Sequence, residues 1–204
     1  MRPNYVIIDF ETTGLDYDIE QVTEIAAIRV SPDFNVIGSY HAYVQLENGR
    51  SLSTLVKNLT GLTDEFLNRN GISEGHAIKG LWEFIYNNND NELEPIVVSH
   101  HTPFDFGFLH NYGLYPHKFI CTRVLSRLVE PNEKASLEDV AKRHGFYDAE
   151  GHHKATKDVE MTRKLLAKFI PIAEERNLSY RNHAIESTER PLKFIPAYAT
   201  VTRY

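Results

Sequence analysis

Two acidic residues stand two positions apart at the point where an apolar segment ends. Residues 5–10 are rich in valine and isoleucine, as is typical of a strand buried on both faces, and Asp9 and Glu11 lie at its carboxyl end. Side chains two apart on a strand point to the same side, so the two carboxylates would lie together. Such a pair is costly unless a cation lies between them. The pair therefore predicts a site for Mg²⁺ or Mn²⁺, which prefer oxygen ligands.

Two further carboxylates occupy comparable places later in the chain. Asp105 follows a short apolar strand at 96–99, where open α/β sheets place their ligands, although an acid in the first turn of a helix also complements the helix dipole. Asp158 lies just over one turn into a predicted helix at 154–169. His153 precedes that helix in a loop, where an imidazole is suited to taking a proton from water, although most loop histidines are simply solvated.

These segments together supply four carboxylates and one loop histidine. If they converge on one edge of the sheet, the set matches a site in which two divalent ions promote hydrolysis of a phosphate ester. From the residues alone we therefore predict a metal-dependent hydrolase of phosphate esters.

The elements that must position this site follow from the hydrophobic periodicity. Residues 22–30 and 36–46 alternate with period two around a turn that contains Pro32 and Asp33, which predicts an antiparallel hairpin beside the first strand. After residue 73 the period becomes helical, with further short strands at 96–99 and 119–121. Ser136 begins a helix, and Pro171 is expected to end the helix that starts at residue 154. The pattern predicts an α/β fold with a mixed sheet and helices on its faces.

The composition limits the classes of partner and compartment. The chain has 204 residues, with 22 Lys and Arg against 28 Asp and Glu, so its formal net charge is −6. This balance excludes a broad basic surface for gripping duplex DNA. The apolar runs are too short for a membrane helix, the N-terminus lacks the apolar core of a secretory signal, and the single cysteine, Cys121, fits a reducing compartment. We therefore expect a cytoplasmic protein without a membrane partner.

Three ordered motifs resemble those of the DEDDh family of 3′–5′ exonucleases. They are Asp-Phe-Glu-Thr-Thr-Gly at 9–14, Phe-Asp at 104–105 and His-x-Ala-x-x-Asp at 153–158, and the resemblance covers roughly residues 5–170. The family has a ribonuclease-H-like fold, with antiparallel first strands followed by parallel ones, and includes the proofreading subunits of bacterial replicative polymerases. One departure is His101, which stands where the family commonly has asparagine.

The resemblance assigns a role to each matching position. Asp9 would bridge two divalent ions, Mg²⁺ or Mn²⁺, Glu11 and Asp158 would bind the ion that activates water, and Asp105 would serve the second ion through water. His153 would be the general base. The residues expected to contact the terminal nucleotide are Thr12, Thr13, Gly14, Leu15 and His101.

The function that the resemblance implies is removal of nucleoside 5′-monophosphates from single-stranded or frayed DNA 3′ ends, alone or with a DNA polymerase subunit. Two alternatives stay open: an exoribonuclease of the same family that acts on RNA or short oligonucleotides, and a non-catalytic interaction module with this fold. We expect residues 1–173 to be the exonuclease domain. Residues 174–204 would be a C-terminal extension, either an appendage or a partner-binding segment.

Overall fold

The computed structural model describes most of the chain, namely residues 4–86, 93–147, 154–186 and 194–203. Its centre is a mixed five-stranded sheet in the order β3-β2-β1-β4-β5. The first three strands are antiparallel, whereas β4 and β5 run parallel to β1, which confirms the predicted strand directions. The strands are β1 (Tyr5–Thr12), β2 (Val22–Val30), β3 (Val36–Tyr43), β4 (Ile96–Ser99) and β5 (Phe119–Cys121).

Seven helices surround the sheet in the described part of the chain. They are α1 (Thr54–Thr60), α2 (Asp64–Asn70), α3 (Glu74–Tyr86), α4 (Thr102–His110), α5 (Thr122–Val129), α6 (Leu137–Arg143) and α7 (Ala155–Glu175). The helices at α1, α2 and α5 have no counterpart in the sequence-based prediction. None of the described helices combines the length and apolar character needed to cross a lipid bilayer.

The central strand β1 divides the core into two layers, because its successive side chains point to opposite faces. Ile7 belongs to the cluster formed with α5, α6 and α7, whereas Ile8 belongs to the cluster formed with α3 and α4. Asp9 and Glu11 continue the Ile7 face, so both carboxylates point toward the layer that contains α7. Helices on both faces of the sheet confirm the predicted α/β architecture.

Helix α7 does not end at Pro171, contrary to the prediction, but continues through it to Glu175. A proline inside a helix removes one backbone donor, which costs one hydrogen bond to the preceding turn. Phe169, Ile170 and Ala173 are buried on either side of Pro171, so the packing of this stretch favours the helical conformation. Tertiary burial here outweighs the local preference of proline.

The chain beyond α7 packs against the main sheet. Strands β6 (His183–Glu186) and β7 (Thr200–Arg203) form a small parallel sheet. Asn182 ties this sheet to β5: its Oδ1 accepts a hydrogen bond from Phe119 N at 2.8 Å, and its backbone N–H donates to Phe119 O at 2.9 Å. Tyr180, Ala184 and Ile185 are buried. The described part of the predicted extension therefore contributes to the core.

Candidate active site

A cleft of about 560 Å³ opens at the carboxyl ends of β1 and β4. Carboxyl ends of neighbouring parallel strands meet at one edge of a sheet, and the helices that follow leave space between them there. This cleft brings together nine of the ten predicted site residues: Asp9, Glu11, Thr12, Thr13, Gly14, Leu15, His101, Asp105 and Asp158. The tenth, His153, lies outside the described residues.

Three carboxylates form the centre of the cleft. Asp9 and Glu11 project from the same face of β1, and Asp158 reaches them from the first turn of α7. One carboxylate oxygen from each of the three lies within 4.8 Å of the other two. The sequence analysis predicted that Asp9 and Glu11 lie on one face of β1 and that Asp158 lies near the start of a later helix, close to them, and the arrangement agrees with that prediction.

The proximity of these groups changes their acidity. Burial raises the pKa of Asp9 well above its ordinary value, and the charges of Asp158, Asp105 and Glu11 raise it further. Burial, followed by the charge of Asp158, raises the pKa of Glu11 to about 9. Groups that cannot all ionise together in the bare protein are a favourable setting for a divalent cation, which would neutralise them.

Asp105 lies in the first turn of α4 and is only 3% exposed. It is not one of the three grouped carboxylates, but it lines the same cleft and its charge raises the pKa of both Asp9 and Glu11. Burial raises its own pKa to about 7, although the Ser99 hydroxyl and nearby backbone N–H groups oppose the shift. Its Oδ1 is buried and has no hydrogen-bond partner within the described chain. Such an oxygen fits the neighbourhood of a cation or its water.

A fifth carboxylate, which the sequence analysis missed, lies beside this group. Glu24 stands opposite Glu11 in the β1–β2 register and is 2% exposed. Its Oε1 lies 2.8 Å from Nε2 of His41 on the neighbouring strand. The charge of Glu24 also raises the pKa of Asp9 and Glu11. The predicted hairpin was the feature of the sequence that could have revealed Glu24. The alternation of side chains alone, however, does not show which residues of two paired strands stand opposite each other.

The loop after β1 is held by its own side chains. Thr12 Oγ1 donates to Gly14 O at 2.5 Å, and Thr13 Oγ1 donates to a carboxylate oxygen of Glu20 while accepting from Gln21 N at 3.0 Å. The Thr12 hydroxyl oxygen keeps a lone pair with which it could accept a hydrogen bond from a ligand hydroxyl. The contact of these residues with a nucleotide stays a prediction.

Part of the cleft lining consists of large aliphatic side chains that are exposed, a feature often found where a protein binds a ligand or partner. Leu15 is 79% exposed, and Leu55 and Leu59 on α1 are 67% and 44% exposed. In α1 the buried residue is instead Thr60, whose hydroxyl donates to Val56 O at 2.9 Å. We call Leu15, Leu55 and Leu59 the apolar wall. The two α1 leucines were missed because α1 itself was not predicted.

A group of polar residues in the cleft lining is built around His100. The His100 ring nitrogens lie 3.0 Å from Thr122 Oγ1 and 2.9 Å from Ala135 O, which joins the end of β4 to the start of α5 and to the loop before α6. His101 and Arg123 also line the cleft. Arg123 was also missed by the sequence analysis, which did not predict α5.

Comparison with known proteins agrees with this geometry. A family model described as "Exonuclease" matches residues 6–166. The chain is 34% identical over 180 residues to the PolC-type DNA polymerase III of Pediococcus pentosaceus, covering 84% of this chain but only 12% of that relative. It is 31% identical over 183 residues to the DNA polymerase III subunit epsilon of Aquifex aeolicus, covering 86% of this chain and 83% of that one.

Solved structures share the fold at low sequence identity. E. coli Exonuclease I in complex with a dA16 oligonucleotide superposes with a TM-score of 0.70 at 17% identity, covering 86% of this chain and 43% of that one. Exonuclease X in complex with 5′ overhanging duplex DNA gives 0.63 at 22% identity, covering 83% of this chain and 93% of that one. This likeness confirms the predicted ribonuclease-H-like fold. The family match includes Asp9 and Glu11 on β1 and Asp158 on α7, and it covers more than half of the chain. The chain therefore belongs to the exonuclease family.

Proposed function

We propose that this protein is a metal-dependent 3′–5′ exonuclease that releases nucleoside 5′-monophosphates from single-stranded or frayed DNA 3′ ends. The observation that carries this proposal is the group formed by Asp9, Glu11 and Asp158, with ligand oxygens within 4.8 Å of one another in an open cleft. Three carboxylates held this close serve no evident structural purpose, because their mutual repulsion destabilises the folded state. They do suit a divalent cation and a phosphate.

Two divalent ions, Mg²⁺ or Mn²⁺, would be held by the four predicted carboxylates. Asp9, Glu11 and Asp158 would ligate directly, and Asp105, which lies outside that group of three, would act through water. Bound ions of this kind supply neutralising charge and lower the pKa of a water molecule. The buried Oδ1 of Asp105, which lacks a hydrogen-bond partner in the described chain, supports its assignment.

The residues around the metal ligands would place the strand end. Thr12, Thr13, Gly14 and Leu15 would hold the terminal nucleotide, with the Thr12 hydroxyl able to accept from a 3′-hydroxyl, and His101 would contact the same nucleotide. His153 would take a proton from the attacking water in its neutral form. The residue is assigned from the motif, since the described part of the chain does not include it.

DNA is the substrate that the relatives favour, because both bear the names of DNA polymerase III components. The chain spans about an eighth of the length of the PolC-type relatives. By analogy with the names of both relatives, we propose that it acts with a DNA polymerase subunit. The acidic net charge supports contact with only a few nucleotides at the strand end, since a long track would require more cations.

The test is a time course on single-stranded DNA labelled at either end, with Mg²⁺ and with a chelator. We expect 5′-labelled DNA to shorten progressively, mononucleotide to appear from the first time points on 3′-labelled DNA, and a circular strand to survive. Asp158→Asn, which removes one charge at constant size, should abolish cleavage, whereas Asp139→Asn, which changes a partly exposed acid on α6 that does not line the cleft, should not. Efficient cutting of the circle would overturn the exonuclease assignment, and a clear preference for RNA would move the substrate to the exoribonuclease alternative.

A further inference from the structure

The substrate of the proposed reaction is a polyanion, yet the cleft is strongly acidic. Among the described residues that line it, Arg123 is the one lysine or arginine. It stands at the second position of α5, and its backbone N–H donates to His100 O at 3.0 Å. The neighbouring Thr122 is fully buried and is bonded to the His100 ring. The backbone that carries Arg123 is therefore fixed on both sides by buried contacts.

Arg123 lines the same cleft as the clustered carboxylates Asp9, Glu11 and Asp158. A guanidinium group binds phosphate oxygens through two parallel N–H donors and stays charged at all working pH values. The scissile phosphate is already accounted for, because in the proposed function it lies at the carboxylate cluster. A guanidinium that lines this cleft can then donate to another phosphate of the same strand.

The chemistry of a strand end determines on which side of the scissile bond this phosphate lies. On the 3′ side of the scissile bond, a terminal nucleotide carries a free hydroxyl and no further phosphate. Every other phosphate of the strand lies on the 5′ side. We propose that Arg123 binds the phosphate next to the scissile one on its 5′ side, and so sets the minimum length of an efficiently cut strand. This inference rests on the proposed function and deepens it.

A pair of trinucleotides that differ in one charge tests this role. The first is an ordinary thymidine trinucleotide, and the second carries a neutral methylphosphonate at the linkage on the 5′ side of the scissile bond. We expect the kcat/KM of the unmodified protein to be about tenfold lower on the second, as loss of a charge-assisted hydrogen bond implies. In Arg123→Met the ordinary trinucleotide should fall to that lower value and the difference between the two substrates should vanish. Arg123→Lys, which keeps the positive charge, should retain part of the difference in kcat/KM between the two substrates.

Arg127→Met is the matched control. Arg127 lies one turn further along α5 and donates to Glu133 O at 2.9 Å, outside the residues that line the cleft. The Arg127→Met variant removes the same charge from the same helix, but at a position outside the cleft lining. It should therefore keep the full preference for the ordinary trinucleotide.

A binding measurement separates phosphate contact from a general structural defect. With Asp158→Asn as the inactive background, the slope of log Kd against log salt concentration for a short single strand should decrease by about 0.7 when Arg123 is replaced by Met. An equal preference in Arg123→Met and the unmodified protein would overturn the role of Arg123. Equal cleavage of both trinucleotides by the unmodified protein would overturn it too and leave the exonuclease assignment intact. Cleavage of neither trinucleotide nor longer strands would instead overturn the proposed function.

Discussion

At the scale of single residues, the carboxylates of the cleft show how function opposes stability. Asp9 and Glu11 occupy a face of β1 whose preceding residues, Tyr5 and Ile7, are core side chains. Apolar residues at both positions would continue that core. Acids there instead repel one another in a poorly hydrated setting, which raises the pKa of Asp9 well above its ordinary value and that of Glu11 to about 9.

The stability of the metal-free protein should consequently fall as the pH rises. Glu11 loses its proton near pH 4.5 in the unfolded chain but near pH 9 in the folded one. Between these values the folded state binds more protons, so each step upward in pH favours unfolding. We expect the melting temperature in a chelator to decrease from pH 5 to pH 8, and Mn²⁺ or Mg²⁺ to reverse the loss. Glu11→Gln is the control: by calorimetry, its melting temperature in a chelator should decrease less steeply with pH than that of the unmodified protein. An equal decrease in both proteins would contradict the role of Glu11 in this pH dependence.

His153 carries a graded prediction, because a general base accelerates a reaction without being indispensable. His153→Ala should lower kcat by about 10²–10⁴-fold while leaving substrate binding nearly unchanged. In the unmodified protein kcat should rise with pH through the histidine range, and this rise should be missing in the variant. His152→Ala is the neighbouring control and should be mild. If the variant at 152 is instead the damaging one, the third motif is aligned one residue out of register.

At the scale of elements, α1 and α2 form a small unit that carries two residues of the apolar wall, Leu55 and Leu59. Leu52, Leu62 and Leu67 make a separate cluster beneath them, and Ser53 caps α1 by accepting from Val56 N. Gly61 ends α1 with φ of 73°, a conformation that favours glycine. Because this unit has its own core, Leu55 and Leu59 can stay exposed beside the cleft without being needed for stability.

Leu55→Ser should therefore weaken substrate handling while sparing the fold. Covering a leucine with a nucleobase contributes up to about 1.5–3 kcal/mol, so kcat/KM on single-stranded DNA should fall about tenfold, mostly through KM. The melting temperature should stay within a degree or two. Ile37→Ser makes the same change on β3, at a residue that is 55% exposed and does not line the cleft, and should leave kcat/KM unchanged. Equal kinetic effects of the two variants would remove α1 from the substrate site.

At the scale of the whole molecule, the segment after α7 closes the open side of β5. Ile120 forms an isolated bridge with Arg181, and Asn182 bonds to Phe119 and to His117 O. Phe194 packs near Tyr17 and His110, on the outer side of α4. The described residues of this segment thus hold together parts of the chain that are far apart in sequence.

A chain that ends at Arg176 should be markedly less stable. It loses the buried side chains of Tyr180 and Ile185, each contributing about 1.5–3 kcal/mol, so the free energy of unfolding should fall by at least about 3 kcal/mol. Denaturant unfolding measures this directly. If the truncated chain aggregates, a substitution in the full chain gives the same test. Ile185→Ala should lower the free energy of unfolding by about 2–5 kcal/mol. Ile195→Ala, at a partly exposed residue, should change it little. A truncated chain of undiminished stability would make residues 174–204 a true appendage.

The sequence by itself determined the strand directions, the two-sided layering and nine of the residues that line the cleft. This was possible because alternation on β1 and the start of α7 are local patterns, and because three motifs of a known family occur in order. Glu24 and its partner His41 could not be found this way, because the closeness of Glu24 to Glu11 and of His41 to Glu24 depends on the register of the β1–β2–β3 pairing.

The tertiary structure alone decided three further features. Helix α7 passes through Pro171 because burial on both sides outweighs one missing hydrogen bond. Arg123 and the leucines of α1 face one cleft only because α5 and α1, which are distant in sequence, pack at the same edge of the sheet. The described residues after α7 contribute to the core because Asn182 bonds to β5 and Ile185 packs against side chains of the sheet. Each of these depends on contacts between residues far apart in the chain, and such contacts leave no periodic trace in the sequence.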